Sequence, residues 1–157
     1  MTKTTRATLA LDRAGVAYAV RTYSYDPNVD RIGVHAAESL GVEPARVLKT
    51  LMTLVDGKPV CVLLASDREV AMKRLAAAVG GKAAEMMRPA DAERATGYHV
   101  GGISPFGQKR AAPAVVDAGA LDHAKVFVNG GQRGVQVELS PQDLVRTLQA
   151  RTALVAV

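Results

Sequence analysis

The sequence predicts an α+β domain built around a mixed β-sheet, and three observations carry that reading. Two apolar, β-rich runs, Val47 to Val55 and Pro59 to Ala65, flank Asp56-Gly57, a pair suited to the tight turn of an antiparallel hairpin. The remaining strand-like runs are separated by longer connections, so strand directions must mix. Several short helical stretches with recognisable start and stop residues interrupt them. With 157 residues, 48% hydrophobic and 22% charged, the chain suffices for one domain, residues 1–157, with a proper core.

The elements follow in order. Residues 4–14 place Ala7, Leu9, Ala10, Leu11 and Ala14 among polar neighbours, a first helix ended by Gly15. Val16 to Tyr23 alternates as a strand, and Asp26-Pro27-Asn28 marks a turn. Val34 to Leu40 reads as a second helix stopped by Gly41. Pro44 reopens the chain toward the hairpin. Val70 to Val79 is rich in Ala and Leu and precedes Gly80-Gly81, which predicts a third helix. Lys82 to Met86 reads as a short strand, and Pro89 to Ala95 as a helix with proline in its first turn. Ala114 to Asp117, Val126 to Asn129 and Val135 to Leu139 are further strands, the last two paired across Gly130 to Gly134. Ser140-Pro141-Gln142-Asp143 opens a final helix to about Ala150: serine caps, proline takes the first helical position, and an acid lies in the first turn. No internal repeat is visible.

Composition narrows the function classes. Aromatic residues make up 4% of the chain, without tryptophan, which disfavours recognition of single strands by base stacking. Twenty Lys plus Arg against fifteen Asp plus Glu leave a net charge of +5; this suits a polyanionic partner and equally a mildly basic soluble protein. The single cysteine, Cys61, excludes an intrachain disulfide and makes a Cys-based zinc site implausible. The N-terminus shows no signal-peptide h-region, and no run approaches the ~18 apolar residues of a membrane span. A cytoplasmic location without membrane association is the expectation.

Ordinary catalytic groups are scarce. His35, His99 and His123 lack metal-ligand spacing, so a metal hydrolase is disfavoured and no metal is expected. Cys61 lies in an apolar run and reads as a core residue. Ser104, in Gly102-Ile-Ser-Pro, has no sequence-level base to activate it. Lys49 stands out within Val47-Leu48-Lys49-Thr50-Leu51, where its ammonium is either at a rim or directed into a cavity. Thr96 to Arg110 packs four glycines and a proline into one loop. Gly101, Gly102 and Gly107 there serve either tight turns or a backbone cradle for an anion or oxyanion. Gly130, Gly131 and Gly134 read first as a hairpin turn. Arg133 and the pair Lys109-Arg110 are solvated surface residues or phosphate contacts.

Three segments share a further pattern: G-Y-H-V-G-G-I-S-P-F-G from Gly97, N-G-G-Q-R-G from Asn129, and the K-T-L of Lys49. Together they resemble the editing domains associated with prolyl-tRNA synthetase, most closely the free-standing Cys-tRNA(Pro) deacylases of the YbaK-like group, over about Ala7 to Leu148. The resemblance implies a curved, partly closed mixed sheet flanked by short helices, with a pocket at its open side. It implies trans-editing hydrolysis of a mischarged aminoacyl-tRNA, with tRNA(Pro) as the favoured partner, prolyl-tRNA synthetase as a second, and no cofactor. In these deacylases the substrate's own thiol attacks its ester while the protein supplies geometry. Lys49 would then be the pocket lysine, and amides near Gly101 and Gly102 would hold the carbonyl. Tyr23, Ser104, Pro105, Gly130 and Gly131 would help bind substrate, and Lys109, Arg110 and Arg133 would meet the RNA. At three substrate-binding positions the chain departs from the group: Ile32 stands for a pocket phenylalanine, Asn129 for a serine and Gln136 for an aspartate. These departures leave open editing of Ala-, Ser- or Thr-charged tRNA, and a binding-only module of the same fold remains the reading from another class.

Overall fold

In the computed structural model, which describes residues 4–29 and 31–157, five helices and eight strands alternate irregularly. The order is α1 (Arg6–Arg13), β1 (Ala19–Thr22), α2 (Ile32–Leu40), β2 (Leu48–Val55), β3 (Lys58–Ala65), α3 (Met72–Ala78), β4 (Ala84–Met86) and α4 (Pro89–Thr96). It continues with β5 (Ala114–Asp117), β6 (Val126–Asn129), β7 (Val135–Leu139), α5 (Pro141–Leu148) and β8 (Arg151–Ala153). The α+β class is as expected from the sequence.

The strands divide into two sheets. A mixed sheet has the order β4-β2-β3-β5-β8, in which β2 runs antiparallel to β3 and β4, while β5 runs parallel to β3 and β8. A smaller antiparallel sheet has the order β1-β7-β6. A parallel bridge, Val47 to Phe127, joins them. The Asp56-Gly57 hairpin forms as predicted, with Val55 opposite Lys58 and both turn residues at positive φ.

β3 explains why Val60-Cys61-Val62-Leu63-Leu64 is apolar without alternation. Cys61 and Leu63 enter a core shared with Leu11, Val116, Val137 and Leu144, whereas Val60, Val62 and Leu64 enter a second core with Leu75, Val115 and Val155. A strand covered on both faces needs no polar side. Helix ends follow the sequence signals. Thr5 and Thr8 form a reciprocal capping pair at the start of α1, and Ser140 Oγ accepts the Asp143 N–H at 3.1 Å to open α5, each such cap worth about 1 kcal/mol.

Several boundaries differ from expectation, each because a tertiary bond outweighs local preference. β1 begins only at Ala19: Val16 N–H closes the end of α1 on Leu11 O, and the Tyr18 hydroxyl donates to Asp12 at 2.7 Å. Val70 is withheld from α3 by a bridge to Ala156. α5 stops at Leu148 because Gln149 turns into the left-handed region, and the chain then adds β8 beside β5, a strand without any signal in Arg151-Thr152-Ala153.

Buried Asp117 ties this last segment down. Its Oδ1 accepts the N–H groups of Val155 (2.9 Å) and Ala156 (3.1 Å), and its Oδ2 that of Gly119 (3.2 Å). Asp117→Ala strands three backbone donors in a largely dry site, so a loss of about 2–3 kcal/mol is expected. Chemical denaturation of the variant reads it directly; a midpoint unchanged from wild type would show that water replaces the carboxylate there.

Candidate functional site

The site is built on an incomplete pairing. β4 covers β2 only from Thr53 to Val55. One further bond, Met87 N–H to Met52 O at 3.1 Å, extends the contact, and Leu48 to Leu51 then have β3 on one side alone. Backbone groups of successive residues in an antiparallel strand turn alternately to either side. Since the Met52 carbonyl faces β4, Thr50 turns the same way, toward the open edge. Along this edge lies a cavity of about 390 Å³, within the ordinary range for a small-molecule site.

The smaller sheet supplies the opposite wall. Asn129 and Gln136 are register partners on β6 and β7, and Gln136 is also paired with Arg21 on β1. Register partners share a face, and Tyr23, two residues beyond Arg21, falls on that same face. All three line the cavity. Ile32 reaches it from the start of α2, which sits close over Ser66: a Cβ at Gly33 would stand 2.7 Å from the Ser66 Cβ.

Lys49 lines the same cavity, with its side chain 23% exposed and its ammonium 3.9 Å from the Glu69 carboxylate. Glu69 is largely solvated, so the pair is weak. Burial holds the Lys49 pKa below its ordinary value; the Glu69 charge opposes this, Arg31 adds to it and Asp67 opposes it. Burial likewise raises the pKa of the Tyr23 phenol, and although the Gln136 amide beside it works the other way, no hydrogen bond of ordinary geometry satisfies the hydroxyl.

The glycine-rich loop forms the third side. Gly101 lines the cavity at φ +90°, a conformation that side chains other than glycine rarely adopt, and a Cβ there would meet the Tyr25 hydroxyl at 2.9 Å. The loop is braced from both ends. Asn129 Nδ2 donates to Gly101 O at 3.1 Å while Asn129 Oδ1 accepts the Gly131 N–H at 2.7 Å, and Arg133 Nε donates to Val100 O at 2.9 Å. Among the described residues the Gly101 N–H has no partner.

The structure therefore brings Tyr23, Ile32, Lys49, Gly101, Asn129 and Gln136 to one cavity, and places the other candidates elsewhere. Gly102 gives its N–H to His99 O at 2.8 Å and packs on the Gln132-Arg133 backbone, so it cannot be a second carbonyl donor without breaking that turn. Ser104 is fully buried and accepts the Phe106 N–H, and Pro105 lies beneath the loop against α1 and α5. Gly130 and Gly131 shape the turn that carries Asn129. Arg133 is a loop brace stacked over the Tyr25 ring at 5.3 Å. Lys109 and Arg110 are exposed beside Asp91 and Arg94 of α4, away from the cavity lining. Arg31, Thr50, Ile103 and Met87, which sequence reasoning passed over, line it; of these only Thr50 and Ile103 lay inside segments that had drawn attention.

Cys61 is fully buried, and desolvation pushes its thiol up to about 12 against the small opposing effect of the Gln108 amide near its sulfur. Such a thiol is neither ionised nor reachable. Cys61→Ala is expected to retain the wild-type protein's turnover while losing about 1 kcal/mol of stability to the small void; loss of activity in a folded variant, read on one preparation by melting and turnover, would reverse that assignment.

Comparison with known proteins gives three findings. Residues 26–147 match the family model described as "Aminoacyl-tRNA editing domain". The chain is 35% identical over 127 residues to a protein of Enterococcus faecalis named "Putative Cys-tRNA(Pro)/Cys-tRNA(Cys) deacylase EbsC", covering 80% of this chain and 77% of that one. Among solved structures, hypothetical protein APE2540 superposes with a TM-score of 0.85 at 26% identity over 98% of this chain and all of its own, and a structure described as a putative trans-editing enzyme for prolyl tRNA synthetase with 0.81 at 22% over 96% and 94%. The last likeness establishes the fold alone.

Proposed function

The chain belongs to the aminoacyl-tRNA editing domain family, and from that membership we propose that it is a free-standing deacylase that clears Cys-tRNA(Pro) in trans, with residues 1–157 acting as one editing domain. The observation that carries the reading is the single cavity in which Lys49, Gly101 and the Tyr23-Asn129-Gln136 wall meet from five separate segments. An aminoacyl ester is already activated toward attack, so a site that positions it and stabilises a developing oxyanion suffices. The Gly101 N–H, without a partner among the described residues of this cavity wall, is the donor for the ester carbonyl in this reading, and the Lys49 ammonium supplies the fixed charge. The attacking group is the substrate's own thiol. Location in the cytoplasm and encounter with prolyl-tRNA synthetase belong to the same proposal.

The reading is tested by a deacylation panel in which one tRNA(Pro) is charged with Cys, Ala, Ser, Thr or Pro and incubated with the purified protein. Clearance of Cys-tRNA(Pro) well ahead of the others is the expected result. Faster clearance of Ala-, Ser- or Thr-tRNA would assign another editing specificity, and binding without turnover of any of them would leave a tRNA-binding module.

A further inference from the structure

Among the described residues, three buried side-chain polar atoms have no hydrogen-bond partner: Tyr23 Oη, Thr50 Oγ1 and Gln136 Oε1. All three belong to residues lining the same cavity. Folded proteins satisfy nearly all such atoms, because each orphan costs about 1–3 kcal/mol. Three on residues that line one cavity point to partners that arrive with a ligand. Thr50 contributes from the open edge of β2, Gln136 from the central strand of the smaller sheet, where the residue is only 4% exposed, and Tyr23 from just past β1.

The chemistry of the set is specific. The Gln136 carbonyl oxygen can only accept, and the two hydroxyls accept as readily as they donate. None of the three carries charge in the accessible pH range, and among the described residues the charged groups of the lining are Lys49, Arg31 and, at the rim, Glu69. The complement is a small group with two or three N–H donors and little need of a counter-ion. Resting on the deacylase reading above, we propose that Tyr23, Thr50 and Gln136 form the subsite that receives the α-amino group of the aminoacyl ester. Every aminoacyl-tRNA presents such a group beside the scissile carbonyl, so holding it there fixes the carbonyl relative to Lys49 and the Gly101 N–H. Amino-acid side chains are left to the apolar part of the wall, Ile32, Leu51 and Met52, where a thiol fits better than an ammonium. Thr50 and Gln136 are thus positioning residues that act on the ester through its amine.

The test uses two non-hydrolysable probes, 3′-(cysteinylamino)-3′-deoxyadenosine and its N-acetyl derivative, titrated calorimetrically into the wild-type protein and into Thr50→Val, Thr50→Ser and Gln136→Leu. The wild type should bind the free amine at least about tenfold more tightly than the acetylated probe, and Thr50→Val and Gln136→Leu should each weaken the free amine about tenfold while leaving the acetylated probe within about twofold. Thr50→Ser, which keeps the hydroxyl, should match wild type. Thr50→Val is nearly isosteric and removes an orphan hydroxyl, so its melting temperature should be unchanged or higher, a result that separates this role from a structural one. Equal affinity of the wild type for both probes, or variants that weaken both probes alike, would overturn the subsite. The expected pattern in a protein that fails to deacylate any tRNA would keep the subsite and sink the deacylase reading; failure of both probes to bind the wild type would sink the two together.

Discussion

Lys49→Ala is expected to lower the deacylation rate of Cys-tRNA(Pro) by about a hundredfold or more while leaving the fold intact. The size follows from position. Lys49 is the cation set on the open edge of β2 within the cavity lining, and a donor aimed at developing charge in a water-poor site is commonly worth about 3–4 kcal/mol. The fold should tolerate the change because the side chain lies at a cavity wall, not between packed layers, and its ion pair with the solvated Glu69 is weak. Melting and single-turnover kinetics on the same preparation check both halves; a variant of wild-type rate would return Lys49 to a rim lysine without a role.

A pH dependence accompanies this, with opposite signs for rate and stability. Burial lowers the Lys49 pKa from its ordinary 10.5. If the ammonium is the working form, the enzyme-dependent rate falls as pH rises through the lowered folded-state value. The fold meanwhile gains stability over the interval from that value up to the unfolded-state one, since there the unfolded chain binds more protons. Both effects should vanish in Lys49→Ala.

The second large effect concerns the source of the nucleophile. Cys-tRNA(Pro) should be cleared on the order of a hundredfold or more faster than Ser-tRNA(Pro), which differs only by sulfur for oxygen, because a thiolate forms near neutral pH and an alkoxide does not. In the proposed route the thiol loses its proton, a C–S bond forms at the ester carbonyl, the C–O bond to the ribose breaks, and the departing oxygen takes up a proton. The thiolactone left behind would then open with water to cysteine. Trapping it with a strong amine before hydrolysis would identify the route. Equal rates for the two substrates at matched occupancy, with no thiolactone captured, would show that water attacks directly and that Ile32, Asn129 and Gln136 tune a different preference, within the ~1–3 kcal/mol that one small group can discriminate in such a pocket.

What the sequence determined by itself is whatever its neighbours encode: the hairpin at Asp56-Gly57, the Ser140-Pro141 helix start, the Gly41 helix stop, the glycine-rich loop, and the motif pattern that leads to the family. These depend on turn chemistry, capping and periodicity, which act over a few residues. The tertiary structure alone decided the rest. β8 has no local signal and exists because β5 offers it an edge and Asp117 holds the chain beyond it. Val16 and Tyr18 leave a plausible strand for bonds to α1. Gly101 and Gly102, adjacent and alike in sequence, part company because Gly102 spends its N–H on His99 while Gly101 lines the cavity with its N–H unpartnered among the described residues. Thr50 became a candidate only once β4 proved too short to cover β2, and Gln136, a candidate by resemblance alone, was set beside Asn129 and Arg21 by strand register. A cavity is the space that long-range pairings leave open, and no window of neighbouring residues contains that information.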